Sequence, residues 1–330
     1  MIRAGLVGLG EIGQVHLRAL RQAPEVELVA LCDVDGALLA DSAGGERTFE
    51  KLEEMLGSSS LDLVDVCLPH SLHADVAIAG FEAGAHVLLE KPMAVSVAEC
   101  DRINEAAQAF GRTVGVSHNQ LFYGPHIEME RMLSEGELGR LRAIRARLAV
   151  GGKYAGWRAD PEHAGGGLAI DAGAHRFYLI ESLGGPVVSI AATMDEAGVE
   201  DAYGVVFELA GGAIATIDAC YHAPKGVFDD RVEIVGSDGL AEAIGVEALF
   251  EGFASGPPLR VWANGRWEER QYPDDWADTV TASVQAFCTA LEGDAPPPVD
   301  GLAGRRLVEL IEGAYLSART GERVEVTPAA

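Results

Sequence analysis

Two residues four positions apart, Asp171 and His175, are the first side chains in this sequence that could carry acid–base chemistry. The pattern predicts a helix from about Asp171 to Leu183, and residues at this spacing then lie on one face, within reach of each other. A carboxylate beside an imidazole orients the ring and stabilises its charged form, as a general base requires. The alternative is an exposed ion pair worth about 0.3 kcal/mol. The pair alone does not decide between them.

A second candidate is the lysine in the segment LLEKPMA. The chain has 25 basic residues but only four lysines, Lys51, Lys91, Lys153 and Lys225. Unlike an arginine, a lysine is a compact ammonium that can lose its proton when it is desolvated. Lys91 follows the apolar run HVLLE, which predicts a strand, so it leaves the carboxyl end where such sheets bind ligands. The alternative is an ordinary solvated lysine at a strand end.

The third group is a glycine pattern, G-x-G-x-x-G, formed by Gly8, Gly10 and Gly13. The first glycine permits a tight turn, the second lets a pyrophosphate approach the backbone, and the third lets helix and strand pack closely. The helix that follows, with Glu11 and Ile12 at its start, offers N–H groups to an anion. The turn therefore predicts a dinucleotide site.

An acidic residue at the end of the second predicted strand indicates which dinucleotide. Asp33 stands 20 residues after Gly13, a spacing that suits a carboxylate accepting hydrogen bonds from ribose hydroxyls. It would repel a 2′-phosphate, and Asp35 adds to that repulsion. No basic residue occurs between Arg21 and Arg47. NAD is therefore favoured over NADP.

These residues lie in a segment where apolar strand patterns alternate with helical ones. From residue 3 to residue 116, such alternation predicts a parallel sheet covered on both faces, a doubly wound α/β domain. Its ligand crevice lies outside the carboxyl ends of the strands. Further candidate cofactor contacts follow the fourth and fifth strands: Leu68, Pro69, His70, His73, Glu90, Lys91 and Pro92. The two histidines could equally cap the next helix or stay solvated.

The second half has a different pattern. Several β-rich runs separated by turn residues predict a meandering antiparallel sheet. Two helices follow, Trp276 to Gly293 and Leu302 to Ala318, and in an earlier helix Ile127, Met132 and Leu133 are expected in the core. We expect two domains, residues 1–118 and residues 119–330.

The composition excludes several classes of partner. A net charge of −26 argues against nucleic acid and anionic membrane surfaces, because both attract basic patches. No apolar run reaches membrane length, and no secretory signal pattern opens the chain. The five cysteines form no C-x-x-C pair and indicate buried thiols in a reducing cytoplasm. The spacing of the histidines predicts no metal site.

Three motifs in order, GLGEIG, EKPMA and GGGLAIDAGAH, resemble those of the Gfo/Idh/MocA oxidoreductases. The resemblance covers nearly the whole chain, including a closing helix and strand. It implies a Rossmann domain followed by an α+β domain with a large, mostly antiparallel open sheet, whose outer face often forms a homodimer or homotetramer. It also implies that Lys91 is the active-site lysine, often followed by a cis proline bond, and that Asp171 and His175 form the D-x-G-x-H pair. Two departures are His70, where the family usually has Asn, and Tyr178, where Asp is common.

The resemblance implies an NAD-dependent oxidoreductase acting on a secondary hydroxyl of a sugar, cyclic polyol or related diol. The alternatives are an NAD-dependent glycosidase with an internal redox cycle and a non-catalytic NAD-binding regulator. Further residues are candidates for contact with a carbohydrate-like substrate, although each could equally be an ordinary core or rim residue: His118, Asn119, Tyr154, Trp157 and Arg158.

Overall fold

The computed structural model describes residues 1–58, 60–152, 155–245, 256–273 and 275–327. The strands in this part of the chain are β1 (Ile2–Val7), β2 (Val26–Cys32), β3 (Arg47–Phe49), β4 (Leu63–Val66), β5 (His86–Glu90), β6 (Val114–Ser117), β7 (Leu141–Val150), β8 (Val187–Met194), β9 (Ala202–Leu209), β10 (Ile214–Cys220), β11 (Phe228–Gly236), β12 (Leu240–Ile244), β13 (Leu259–Ala263), β14 (Arg266–Arg270) and β15 (Val324–Glu325). The helices are α1 (Glu11–Gln22), α2 (Gly36–Ser42), α3 (Leu52–Ser58), α4 (His73–Glu82), α5 (Val97–Phe110), α6 (Gly124–Ser134), α7 (Pro161–Ala164), α8 (Ala174–Gly184), α9 (Trp276–Glu292) and α10 (Gly301–Thr320).

The chain divides into two units. The first contains Met1–Asn119 and Ala277–Val308, and the second contains Gln120–Trp276 and Glu309–Ala330. Helix α9 therefore lies with the first unit, whereas the sequence pattern had grouped it with the second half. In the described part of the chain, no helix has the length and apolarity needed to cross a membrane.

The first sheet has the order β3-β2-β1-β4-β5-β6 within the described residues, and all its neighbours are parallel. Strand β4 is buried at every position, which requires layers on both faces. Close packing depends on small residues: a Cβ at Gly115 on β6 would collide with the ring of Phe287 on α9. The predicted Rossmann domain is confirmed.

The second sheet has the order β14-β13-β12-β11-β7-β10-β9-β8-β15 in the residues described. Its pairs are antiparallel except for β7 and β10, which run parallel. The prediction of a mostly antiparallel sheet is confirmed, but the meander is interrupted: β7 lies between two meanders, β8 to β10 and β11 to β14. Strand β12 was not predicted, because its sequence LAEAI has weak β propensity.

One face of the second sheet packs against helices α6 and α8. The ring of Phe177 on α8 meets that of Phe207 on β9 edge-on, with centroids 5.4 Å apart. In α6, Met132 is buried as expected, but Ile127 is 49% exposed. The expectation that Ile127 lies in the core is wrong, because Met129 occupies the buried side of that turn instead.

Candidate active site

The glycine turn joins β1 to α1 at the carboxyl edge of the first sheet. Gly8 has a φ of +92°, and a Cβ there would collide with the carbonyl oxygen of Cys67. A Cβ at Gly13 would collide with the carbonyl of Gly8. At Gly10, no described atom lies within 4 Å of where a Cβ would project. Gly8 and Gly13 therefore serve the turn itself, and Gly10 keeps the surface open for a ligand.

Asp33 fixes this turn to the end of β2. Its Oδ2 accepts the backbone N–H of Leu9 at 2.7 Å, and its Oδ1 accepts that of Asp35 at 2.9 Å. Each carboxylate oxygen keeps a second lone pair that a ribose hydroxyl can use. Asp35 accepts two N–H groups at the start of α2 and caps that helix.

The basic residues that flank this region are already engaged. Arg21 binds Glu46, with Nε 2.8 Å from Oε1. Arg47 donates to the carbonyl of Ser58 at 2.7 Å and lies over the ring of Phe49. Neither guanidinium is held for a 2′-phosphate, which agrees with the sequence-based preference for NAD.

The segment after β4 carries four of the predicted cofactor contacts. Leu68 and Pro69 are half-buried, and the side chain of Leu68 borders Gly8. His70 is 3% exposed and His73 is fully buried. The ring nitrogens of His73 lie 3.0 Å from the carbonyl oxygens of Leu68 and Pro92.

Burial lowers the pKa of His73, and the alternative that this ring stays solvated is wrong. Because its nitrogens contact carbonyls of Leu68 and Pro92, the ring joins the segments that follow β4 and β5. A contact of this ring with the cofactor stays a prediction.

Lys91 follows β5 directly, as predicted, and is half-buried. Its backbone N–H donates to Oε2 of Glu90 at 3.1 Å. The Lys91–Pro92 peptide bond is cis, as the resemblance implied. Because β1, β4 and β5 are parallel neighbours, Lys91 leaves the sheet at the same edge as the glycine turn.

In the second unit, Asp171 lies in a turn and His175 lies in the helix that follows the turn. Helix α8 begins at Ala174, so the predicted helix start at Asp171 is wrong. Asp171 lies in the turn and is 5% exposed, and His175 is the second residue of the helix and is half-buried. The argument from a shared helical face therefore does not apply to this pair.

A buried carboxylate that the sequence analysis did not identify holds this turn. Glu200 is 0% exposed, and its Oε1 accepts the N–H of Ala169 at 2.7 Å and the hydroxyl of Tyr315 at 3.1 Å. Its Oε2 accepts the N–H of Gly198 at 3.0 Å. Burial raises the pKa of Glu200 despite these bonds. A Cβ at Gly167 would collide with the backbone of Glu200, which explains one of the three successive glycines.

One of the predicted substrate residues, Arg158, lies beside Asp171, and a second, Trp157, lies beside Arg158. The guanidinium of Arg158 stacks over the ring of Trp157, 4.6 Å from its centroid. Nε of Arg158 is 3.7 Å from Oδ2 of Asp171. The structure thus brings Arg158 to the predicted acid. Tyr154 lies outside the described residues.

Comparison with known proteins agrees with this geometry. Residues 2–118 match the oxidoreductase family with an NAD-binding Rossmann fold, and residues 126–242 match the GFO/IDH/MocA C-terminal domain. A D-xylose 1-dehydrogenase (NADP(+)) of Haloferax volcanii is 30% identical over 332 residues, which cover 98% of this chain and 99% of the relative. The chain belongs to the Gfo/Idh/MocA oxidoreductase family.

Further relatives of this Gfo/Idh/MocA protein cover its full length. The 1,5-anhydro-D-fructose reductase of Ensifer adhaerens is 29% identical over 339 residues, 99% of each chain. The crystal structure of GenD2 from gentamicin A biosynthesis in complex with NAD is 26% identical, with a TM-score of 0.84, covering 99% of this chain and 96% of that one. The protein is therefore an oxidoreductase with an NAD-binding Rossmann domain.

The Gfo/Idh/MocA resemblance did not identify a second buried group, beneath the glycine turn. His16 on α1 and Asp65 on β4 are both 0% exposed, with Nδ1 of His16 2.8 Å from Oδ2 of Asp65. Nε2 of His16 lies 3.1 Å from Oε1 of Glu90. Burial alone would lower the pKa of His16, but the charge of Asp65 and its hydrogen bond raise it well above the ordinary value, with a smaller contribution from Cys67.

Two other predicted substrate residues lie in the interior. His118 is 0% exposed and Asn119 is 6% exposed. The side-chain amide of Asn119 donates to the hydroxyl of Thr279 at 2.9 Å, so it joins the end of β6 to α9. Contact of these two residues with substrate stays a prediction.

Proposed function

We propose that the protein is an NAD-dependent dehydrogenase that transfers a hydride between a secondary hydroxyl of a sugar, cyclic polyol or related diol and the nicotinamide. The observation that carries this proposal is the shared edge of the first sheet, where Lys91 and the glycine turn both emerge. A ligand bound along this edge by its pyrophosphate has an ammonium within the same unit.

The names of the relatives support a carbohydrate substrate. One is a D-xylose dehydrogenase and another a reductase of 1,5-anhydro-D-fructose, and both reactions interconvert a carbohydrate hydroxyl and a more oxidised carbon. We propose the same class of substrate here. Because Arg158 lies beside Asp171 and stacks over Trp157, these two residues are the ones we propose for contact with the sugar.

The proposed chemistry assigns one task to each residue. When bound, NAD supplies the carbon that accepts the hydride. His175 accepts the proton of the substrate hydroxyl, and the carboxylate of Asp171 stabilises the resulting imidazolium. The ammonium of Lys91 donates a hydrogen bond to the same oxygen and stabilises its developing negative charge. The C–H electron pair leaves as hydride, and a carbonyl forms.

The experiment is a substrate panel with the purified protein and NAD. Sugars, cyclic polyols and aryl glycosides are tested while nicotinamide absorbance and released aglycone are both followed. We expect net reduction of NAD with a member of the first two classes. Release of aglycone without net NADH would instead indicate a glycosidase with an internal redox cycle. Binding of NAD with neither reaction across the panel would favour a regulator.

We also propose a cytoplasmic location, because all five cysteines lie in the described part of the chain and none forms a disulfide there. A protein that resides in an oxidising compartment more often pairs its cysteines. Cell fractionation with an antibody against the protein would test this, since recovery outside the cytoplasm contradicts it.

A further inference from the structure

The buried group beneath the glycine turn connects three elements of the first unit. His16 comes from α1, Asp65 from β4, and Glu90 from the end of β5. The side chains of His16 and Asp65 are 0% exposed, and that of Glu90 is 12% exposed. Each ring nitrogen of His16 has its own carboxylate, Nδ1 with Asp65 at 2.8 Å and Nε2 with Glu90 at 3.1 Å.

The contacts continue to Lys91. An ionised carboxylate only accepts hydrogen bonds, so with both acids ionised the ring N–H groups are the donors. One oxygen of Glu90 is held by His16, and the other accepts the backbone N–H of Lys91 at 3.1 Å. The contact with His16 thus fixes the rotamer of Glu90, and Glu90 in turn orients the peptide N–H of Lys91, the first residue after β5.

We propose that His16 is a positioning residue for Lys91, which it orients through the carboxylate of Glu90, while Asp65 anchors the opposite side of the ring. The link to turnover rests on the proposed function, because only there does Lys91 act on the substrate. The link to the position of Lys91 does not depend on it.

Metal binding is a weaker explanation of this group. His16, Asp65 and Cys67 carry donor atoms of the type that metals use, within 4.8 Å of one another. However, both ring nitrogens of His16 already face carboxylates. Hydrogen bonding therefore accounts for the cluster.

Two amide substitutions separate the two sides of the ring. The amide nitrogen of glutamine lies near the position of Nε2, so His16→Gln keeps a donor for Glu90. The amide nitrogen of asparagine lies near the position of Nδ1, so His16→Asn keeps a donor for Asp65 and releases Glu90. His16→Gln leaves Asp65 fully buried without its donor, which costs more than releasing the partly exposed Glu90. We therefore expect His16→Gln to be the less stable variant, with Lys91 closer to its original position.

The position of Lys91 is read without any substrate. Reductive methylation with carbon-13 formaldehyde labels the four lysines, and Lys91→Met identifies the resonance of Lys91. We expect His16→Asn to displace this resonance and His16→Gln to leave it near that of the unmodified protein. Cys67→Ser, which is adjacent and buried, is the matched control and should leave the resonance in place. If His16→Gln alone does not fold, the same resonance is measured in the double variant with Asp65→Asn, which removes the buried charge.

Turnover provides the second measurement, with NAD and a substrate found in the panel. We expect kcat to fall roughly tenfold or more in His16→Asn, the scale of a small misplacement of a catalytic group, and much less in His16→Gln. The dissociation constant for NAD should change little in either. If the Lys91 resonance is displaced more in His16→Gln, the less stable variant, than in His16→Asn, His16 is a structural residue and the proposal is wrong. The same conclusion follows if the resonance moves in neither variant. If the panel yields no substrate, the resonance alone still decides the positioning role.

Discussion

Asp33 has two roles that need different properties of one side chain. Its oxygens hold the amides of Leu9 and Asp35, which requires acceptors, and its negative charge disfavours a 2′-phosphate. Asparagine removes the charge but keeps only one of the two acceptor oxygens, so Asp33→Asn tests the charge while it loses the bond to Leu9 or to Asp35.

The first prediction is that the unmodified protein binds NAD more tightly than NADP by about 1.4 kcal/mol or more, a factor of ten. Asp33→Asn should narrow this gap mainly by admitting NADP. Asp33→Ser keeps a single and shorter acceptor for Leu9 and Asp35, so it should weaken NAD binding more than Asp33→Asn does. Calorimetric titration of each variant with both cofactors measures these changes. Tighter binding of NADP by the unmodified protein would remove Asp33 from this role.

The second prediction concerns Lys91. Lys91→Met removes the ammonium but keeps most of the stem, so NAD affinity should change little. Hydride transfer in a single turnover should slow by roughly 10²-fold, the usual effect of losing one donor to an oxyanion. Lys91→Arg should not restore the rate, because the guanidinium is bulkier and differently shaped. The control is Lys51→Met, an exposed lysine paired with Glu54. An unchanged rate in Lys91→Met would mean that Lys91 is only a solvated lysine at a strand end.

For single residues, the sequence allowed a prediction where the role depends on neighbouring residues in the chain. Lys91 could be placed because HVLLE precedes it directly. His16 could not, because its partners lie 49 and 74 positions away and are brought together only by the pairing of β1, β4 and β5. Neither spacing is a local pattern.

Among the elements, the turn before α8 shows how a tertiary contact overrides a helical pattern. Asp171 belongs to a periodic segment, yet the helix begins at Ala174. The preceding turn is held by Glu200, which lies 31 positions from Ala169. A donor and acceptor so far apart in sequence leave no local signal. Strand β12 was missed for a related reason, since pairing with β11 and β13 stabilises a sequence of weak β propensity.

The third prediction is that the turn depends on Glu200. Glu200→Ala leaves the donors of Ala169, Gly198 and Tyr315 without their acceptor, and each buried donor so exposed costs about 1–3 kcal/mol. We expect the free energy of unfolding to fall by roughly 3 kcal/mol or more. Glu200→Gln keeps one oxygen for Ala169 and Tyr315 but presents an N–H to Gly198, so its loss should be smaller.

Denaturant unfolding compares these variants with Glu54→Ala as a control. Glu54 lies on α3 with its side chain 59% exposed and paired with Lys51, and surface pairs contribute about 0–1 kcal/mol. If Glu200→Ala were no less stable than Glu54→Ala, the turn would not depend on the buried carboxylate.

For the whole molecule, the order of segments along the chain did not indicate that α9 belongs to the first unit. Helix α9 follows the strands of the second sheet in sequence but packs Phe287 over Gly115 of the first. The fold classes could be predicted because strand patterns differ between parallel and antiparallel sheets. The packing of α9 against the first sheet could not be predicted, since an amphipathic pattern does not indicate which surface the helix covers.

The outer face of the second sheet differs from strand to strand. On β7 and β11 it carries cross-strand ion pairs, Arg145 with Glu233 and Arg147 with Asp229. On β9 and β10 it carries two exposed apolar side chains, Val206 (48% exposed) and Ile214 (53% exposed), together with the exposed carboxylates of Glu208 and Asp218. Exposed apolar side chains among charged groups are typical of a surface that another protein covers.

The fourth prediction is that this face forms a homodimer or homotetramer, as the resemblance implied. Val206 lies on β9 between Ala191 and Thr216 of its neighbours, so Val206→Arg would place an unpaired charge at the centre of a buried contact. Light scattering should show an oligomer for the unmodified protein and a shift toward a mass of 34.7 kDa for this variant. Phe110→Arg is the control, because Phe110 is 46% exposed on α5 of the first unit and the same substitution there should leave the mass unchanged. A monomer at every working concentration of the unmodified protein would contradict the prediction, since the apolar side chains of β9 and β10 would then stay exposed.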